Sequence, residues 1–215
     1  MNDLMIVGAS GFGREVAWLV ERINQVSPTW NLLGFLDDNG ALLGSRINGY
    51  PVLGNVQDVD QFPDAWFVCA IGSSAIRKKV VDKMLEKNPD VKFGTVIDPS
   101  AEISDLVTIG QGTIICAHTI VTVNIRIGDH VIMNLDCTVG HDAEIGDFVT
   151  MYPSVNVSGL CSIGCGTELG TGMQVIQAKS IGENTVIGAG SVVVRDIPSN
   201  CTAVGSPAKP IKFFN

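Results

Sequence analysis

From Ile97 to Val193 an apolar residue falls at every sixth position: Ile97, Ile103, Ile109, Ile115, Val121, Ile127, Met133, Val139, Ile145, Met151, Val157, Ile163, Leu169, Val175, Ile181, Ile187 and Val193. A helix repeats near 3.6 residues and a strand near 2, so a strict period of six belongs to neither alone. Glycine often follows the marker, as in Ile109-Gly110, Ile127-Gly128, Ile145-Gly146 and Ile163-Gly164. Four residues after the marker comes a second selected position, small or apolar, as at Thr113, Cys137, Ala143, Val149, Val155, Cys161 and Thr167. A short strand, a turn and another short strand satisfy this pattern, with one aliphatic side chain per flat side pointing inward. The chain is expected to wind as a prism, one hexad per side, with no long insertion between hexads.

Upstream, Leu4-Met5-Ile6-Val7 reads as a buried strand running into Gly8-Ala9-Ser10-Gly11-Phe12-Gly13. A helix follows from Arg14 to about Asn24, with Val16, Ala17, Leu19, Val20 and Ile23 on its core side. Trp30 to Leu36 is a second strand ending in Asp37-Asp38. A strand, a glycine turn and a helix N-terminus make a cradle for an anion, and an acidic residue at the tip of the second strand takes donors from a nucleotide. The spacing is G-x-x-G-x-G rather than G-x-G-x-x-G, and tight strand-to-helix packing alone also calls for such glycines. Both features in one βαβ unit favour nucleotide binding. Trp66 to Ile71 is a third strand. Gly72-Ser73-Ser74 is expected to cap a helix from about Ala75 to Glu86, with Ile76, Val80, Met84 and Leu85 inward, and Val91 to Ile97 to form a fourth strand. This half is too short for a second mononucleotide unit, which fits one nucleotide better than a whole NAD. The composition shifts near Asp98-Pro99, with all three tryptophans before it. The expected organisation is a truncated Rossmann-like α/β domain over 1–97 and an all-β hexad domain with a short tail over 98–215.

The net charge of −8 argues against nucleic acid, which demands clustered Lys and Arg. No apolar run is long enough to span a bilayer. Met1 to Val7 lacks a basic n-region, so the cytoplasm is the expected compartment. The cysteines fit that compartment: Cys69, Cys137 and Cys161 fall at inward positions and read as buried free thiols, and Cys161-Ser162-Ile163-Gly164-Cys165 has no partner pair to make a zinc site. No metal is expected.

The hexads, the segment Ile187-Gly188-Ala189-Gly190-Ser191-Val192-Val193 and the tail Gly205-Ser206-Pro207-Ala208-Lys209 resemble the left-handed β-helix acyltransferases. With the βαβ unit ahead of them, the whole chain resembles the bacterial nucleotide-sugar N-acetyltransferases of the PglD/NeuD type. The resemblance implies a left-handed parallel β-helix of three hexads per coil, a homotrimer, and acetyl-CoA bound between neighbouring prisms. It also implies acetyl transfer to the amine of a nucleotide-linked amino sugar, such as a 4-amino-4,6-dideoxyhexose on UDP, GDP or dTDP, for surface glycans such as lipopolysaccharide O-antigen. Gly11, Phe12 and Gly13 are then expected beside the phosphates, Asp37 and Asp38 by the base, Gly72 nearby, and Asn134 facing the site. Gly159, Thr171 and Ala189 match positions that hold CoA, and Gly159 is the candidate oxyanion donor.

By the same resemblance Val139-Gly140-His141-Asp142 carries the catalytic histidine. Attack of an amine on a thioester needs a group to remove a proton. A histidine titrates near neutrality, and a neighbouring carboxylate orients it and raises its basicity. His118 and His130, with no acidic residue following, read as solvated turn residues. The chain departs from its relatives at Thr150 and Phe12, where some of them carry histidine; Thr150 cannot serve as a second acid or base. The alternative on the same scaffold is O-acetylation of a sialic-acid-pathway sugar. A γ-type carbonic anhydrase needs three converging histidines, and His118, His130 and His141 fall at two hexad phases. A non-catalytic nucleotide sensor leaves His141-Asp142 without a role, and an NAD oxidoreductase lacks a hydride-acceptor domain.

Overall fold

The computed structural model describes residues 1–214. The chain opens with β1 (Asn2–Val7), α1 (Gly11–Val26) and β2 (Trp30–Leu36), followed by β3 (Arg46–Ile47), β4 (Tyr50–Gly54), β5 (Trp66–Cys69), α2 (Ser74–Lys87) and β6 (Lys92–Phe93). These strands form one sheet in the order β3-β4-β2-β1-β5-β6, parallel except for the β3–β4 hairpin. The central strand β1 buries Leu4, Met5, Ile6 and Val7 completely or nearly so, as expected for a parallel strand covered on both faces. Val16, Ala17, Leu19 and Val20 of α1 cover one side of the sheet, and Val80, Val81 and Met84 of α2 cover the other.

From Val96 onward every strand is two residues long, up to Val192–Val193. Up to Gln174–Val175 each pairs in parallel with the strand one coil later, eighteen residues on, as in Ile115 with Met133 and Val139 with Val157. The result is a parallel β-helix with three faces. The first carries Ile114–Ile115, Ile132–Met133, Thr150–Met151 and Glu168–Leu169; the second Ile120–Val121, Thr138–Val139 and Asn156–Val157; the third Arg126–Ile127, Glu144–Ile145 and Ser162–Ile163. The markers from Ile115 to Val193 are all buried in one continuous core.

The period of six has a backbone cause. Three residues after each marker from Ile109 to Ile187 the chain turns a corner in the left-handed region, as at Asp136 with φ 61°, Asp142 at 58°, Phe148 at 58°, Ser154 at 60° and Leu160 at 60°. Glycine after the marker serves close approach: a Cβ at Gly164 would stand 2.4 Å from the backbone nitrogen of Glu183 on the next coil. The last coil is two residues shorter, since Ile181 bridges to Ile197 and Ile187 pairs with Ala203.

The N-terminal sheet docks on the first face. The outward residues of that face, Val96, Ile114, Ile132 and Thr150, are almost completely buried, and Ile114 and Ile132 join the cluster built on α1 and β1. Arg22 of α1 makes a two-pronged bond to Asp98 at 2.6 and 2.9 Å.

Three local expectations are corrected. The stretch 91–97 is two strands in different sheets, Lys92–Phe93 and Val96–Ile97, separated at Gly94-Thr95. On α2 the inward face is Ser74, Arg77, Val80, Val81 and Met84, whereas Ile76 and Leu85 are exposed. The helix is rotated by about one residue because the Arg77 guanidinium reaches the carbonyls of Ile71, Gly72, His130, Phe148 and Val149. Finally, Ser73 makes no side-chain cap; Glu168, ninety-four residues away on the β-helix, accepts from Ser74 N at 2.8 Å and Ser73 Oγ at 3.2 Å.

Candidate active site

At the carboxyl ends of β1 and β2, the glycine turn is tied to the second strand. Asp37 accepts from Ala9 N at 2.8 Å and Asn39 N at 2.8 Å, and Asp38 accepts from Val56 N at 3.0 Å. Gly13 is buried, and a Cβ there would lie 2.0 Å from the Gly8 carbonyl oxygen, so this glycine lets α1 start against the turn. Gly11 is exposed at the helix N-terminus, where free N–H groups face outward. Beside them lies a cavity of about 250 Å³ lined by Gly8, Ser10, Asp37, Asp38, Ile71 and Gly72, among others. This is the ligand position expected for an open parallel sheet, outside the carboxyl ends of its strands.

A second cavity, of about 130 Å³, opens where α1 meets the first face. Phe12, Gly72 and Asn134 line it together with Glu15, Ile132, Thr150 and Tyr152. Thr150 is buried, donates to the Gly72 carbonyl at 2.7 Å and lies 3.3 Å from Ser74 Oγ, so it fixes the 72–74 loop.

His141 stands on another edge, between the second and third faces. Its Nδ1 lies 2.8 Å from Asp142 Oδ2, and Asp142 Oδ1 accepts from Asn124 Nδ2 at 3.1 Å. Hydrogen bonds from His141 and Asn124 hold the Asp142 carboxyl below the usual range. With Nδ1 occupied, Nε2 is left for an incoming group, and the ring is half exposed. Gly159 sits against the ring one coil up: a Cβ there would be 2.6 Å from Nε2. Such a pair can take a proton at Nε2 while Asp142 holds the ring in place.

Thr171 and Ala189 are exposed and share a different edge, between the first and second faces, with Gly190 N bonded to the Thr171 carbonyl. In one chain, therefore, the glycine turn, Asp37, Asp38, Gly72, Phe12 and Asn134 come together along the docked sheet. His141, Asp142 and Gly159 form a second group, and Thr171 and Ala189 a third. Among the described residues no group of three His, Cys, Asp or Glu side chains is arranged to hold a metal ion.

His130 corrects the expectation of a solvated turn. It is 3% exposed, packed edge-on to Phe93 and stacked on Phe148 at 5.0 Å between centroids, because the α2 and β6 region covers its corner. Burial pushes its pKa down to about 4. His118 is exposed. The sequence reading also passed over Glu15, Tyr152 and Arg77. The available signal was the residue after the marker: on the edge nearest α1 it is Cys116, Asn134 and Tyr152, where glycine is the habit elsewhere.

A β-helix of hexads with a corner His–Asp pair, joined to a nucleotide-type βαβ unit, defines a hexapeptide-repeat acyltransferase. Residues 3–84 match the family model described as the PglD N-terminal domain. The acetyltransferase domain of PglB from Neisseria gonorrhoeae FA1090, in complex with acetyl coenzyme A, is 33% identical with a TM-score of 0.89, covering 98% of this chain and 99% of that one. A mutant of perosamine N-acetyltransferase from Caulobacter crescentus, in complex with CoA and GDP-perosamine, is 28% identical with a TM-score of 0.85, covering 98% and 97%. UDP-N-acetylbacillosamine N-acetyltransferase of Bacillus subtilis (strain 168) is 36% identical over 119 residues, a stretch spanning 54% of this chain and 52% of that protein. The chain belongs to the PglD-type family of sugar acetyltransferases.

Proposed function

We propose that the protein transfers acetyl from acetyl-CoA to the amino group of a nucleotide-linked amino sugar, with His141 as general base. The observation that carries this reading is the oriented pair at the prism corner: Nδ1 held by Asp142 at 2.8 Å, Nε2 free beside Gly159. Acetyl-CoA supplies the thioester and a thiolate leaving group, so the chain needs no nucleophile of its own. His141 Nε2 removes the amine proton as the nitrogen attacks, and backbone N–H groups at the Gly159 corner face the developing oxyanion. Residues 1–97 hold the nucleotide sugar and residues 98–215 carry the acetyl transfer. The relatives bound to acetyl coenzyme A, or to CoA with GDP-perosamine, support both ligand classes here.

The assembly we propose is a homotrimer. One chain presents its sugar groove on the first face and His141 a full prism side away, and it divides the small residues proposed for CoA between two edges. A neighbour contributing its own edge brings base, acceptor and CoA groove together, and the exposed Val123, Leu160 and Ile176 around His141 suit such a contact. The sugar is a 4-amino-4,6-dideoxyhexose and the product feeds surface glycan synthesis from the cytoplasm. Among the described residues no helix is long and apolar enough to cross a membrane.

Incubation with acetyl-CoA and UDP-, GDP- and dTDP-linked 4-amino sugars is expected to release CoA and give a product bearing one acetamide, read by mass and by resistance to mild base. A base-labile product means an ester and overturns N-transfer.

A further inference from the structure

The junction cavity between α1 and the first face has its own chemistry, distinct from both the base at His141 and the nucleotide cavity. Gly72 lines both it and the 250 Å³ cavity. A Cβ on Gly72 would lie 3.8 Å from both the Tyr152 ring and its hydroxyl, so Tyr152 stands directly beside the residue that the two cavities share.

The polar groups of this cavity are already partly committed, and that decides what they can offer. Tyr152 Oη donates its one proton to Glu168 Oε2 at 3.2 Å, leaving only lone pairs for a ligand. Glu168 is itself fixed by Ser73 and Ser74. Asn134 Oδ1 accepts from Leu135 N at 2.7 Å, which leaves the amide NH₂ to donate. The Glu15 carboxylate has no ion-pair partner among the described residues. Among the described residues no Lys, Arg or His lines the cavity, and Arg77 behind Gly72 spends its guanidinium on carbonyls. The cavity thus offers two acceptors, one donor, an apolar patch of Phe12 and Ile132, and no positive charge.

We propose that this cavity holds the sugar of the nucleotide-linked acceptor, and that Glu15 and Tyr152 set its specificity for sugars whose hydroxyls donate and which carry no carboxylate. The assignment rests on the nucleotide-sugar reading above. A sugar hydroxyl or ammonium donates to Glu15 or to Tyr152 Oη, and Phe12 with Ile132 suits the methyl of a 6-deoxy sugar. A uronic or sialic-type acid would set a carboxylate near Glu15 with no cation to offset it, a repulsive element of the kind that makes specificity.

The test compares wild type, Tyr152→Phe and Glu15→Arg in steady-state transfer, with calorimetric binding of the nucleoside diphosphate alone. Tyr152→Phe keeps the ring but loses the acceptor. It is expected to lower kcat/KM for the nucleotide sugar about ten- to a hundredfold, with diphosphate affinity and the KM for acetyl-CoA unchanged. Glu15→Arg is expected to weaken the amino sugar that carries no carboxylate and to admit a nucleotide-linked amino uronic acid that wild type refuses. Wild-type kcat/KM in Tyr152→Phe, or equal use of the acid by wild type, overturns the subsite while leaving the nucleotide-sugar reading in place. Failure of wild type to acetylate any nucleotide-linked sugar overturns both.

Discussion

At His141 the two ring nitrogens have different surroundings, the Asp142 carboxylate on one side and the side-chain-free backbone of Gly159 on the other. That asymmetry gives two expectations. Asp142→Asn keeps a side chain beside Nδ1 but takes away the carboxylate that orients the ring, so kcat is expected to fall while the KM for acetyl-CoA holds, as read in steady-state kinetics. Gly159→Ala sets a methyl where the ring edge lies, so the imidazole must turn away; kcat is expected to drop by an order of magnitude or more with the fold intact by circular dichroism. The pairing of His141 with Asp142 was legible through the resemblance, which sets the catalytic histidine directly before an acidic residue in Val139-Gly140-His141-Asp142. His130 was not: it occupies the same kind of corner three residues after its marker, and only the packing of Phe93 and Phe148 from distant parts of the chain makes it a core residue.

Among the elements, α2 shows where local reading stops. Its aliphatic residues mark more than one side, and the choice between them is made by Arg77, whose buried guanidinium binds carbonyls of the β-helix corner. Burial pushes that group down to about 10, so it remains a cation at neutral pH. Arg77→Leu is expected to destabilise the protein by about 2–4 kcal/mol in urea unfolding, since buried carbonyls lose their donors together. His130 adds a pH dependence at the same contact. Its folded pKa of about 4 lies below the usual 6.5, so its stability contribution is complete above pH 6.5 and is lost as pH falls toward 4. The loss is up to about 3 kcal/mol, and His130→Phe is expected to flatten that part of the stability–pH curve.

For the molecule as a whole, the hexad register announced the prism because the sides from Ile109 to Ile187 obey one backbone rule, an inward aliphatic followed by a left-handed corner. The glycine turn and Asp37-Asp38 likewise announced the βαβ unit. How the two halves meet was not legible, since it depends on pairs far apart in sequence: Arg22 with Asp98, Glu168 with Ser74, Thr150 with Gly72. Burial pushes the Asp98 carboxyl up, but hydrogen bonds from Arg22 and Ser100 outweigh it and hold it down at about 2, so this link persists above pH 4 and fails as pH drops through 2. If neighbouring subunits share each site, mixed trimers of His141→Asn with an N-terminal variant such as Gly72→Trp are expected to recover activity that neither parent has. The most direct measurement is turnover of acetyl-CoA with a nucleotide-linked 4-amino sugar by wild type and His141→Asn at matched melting temperature. A loss of about a hundredfold or more in kcat with acetyl-CoA still bound is the predicted result; full turnover in the variant would contradict the assignment of the base.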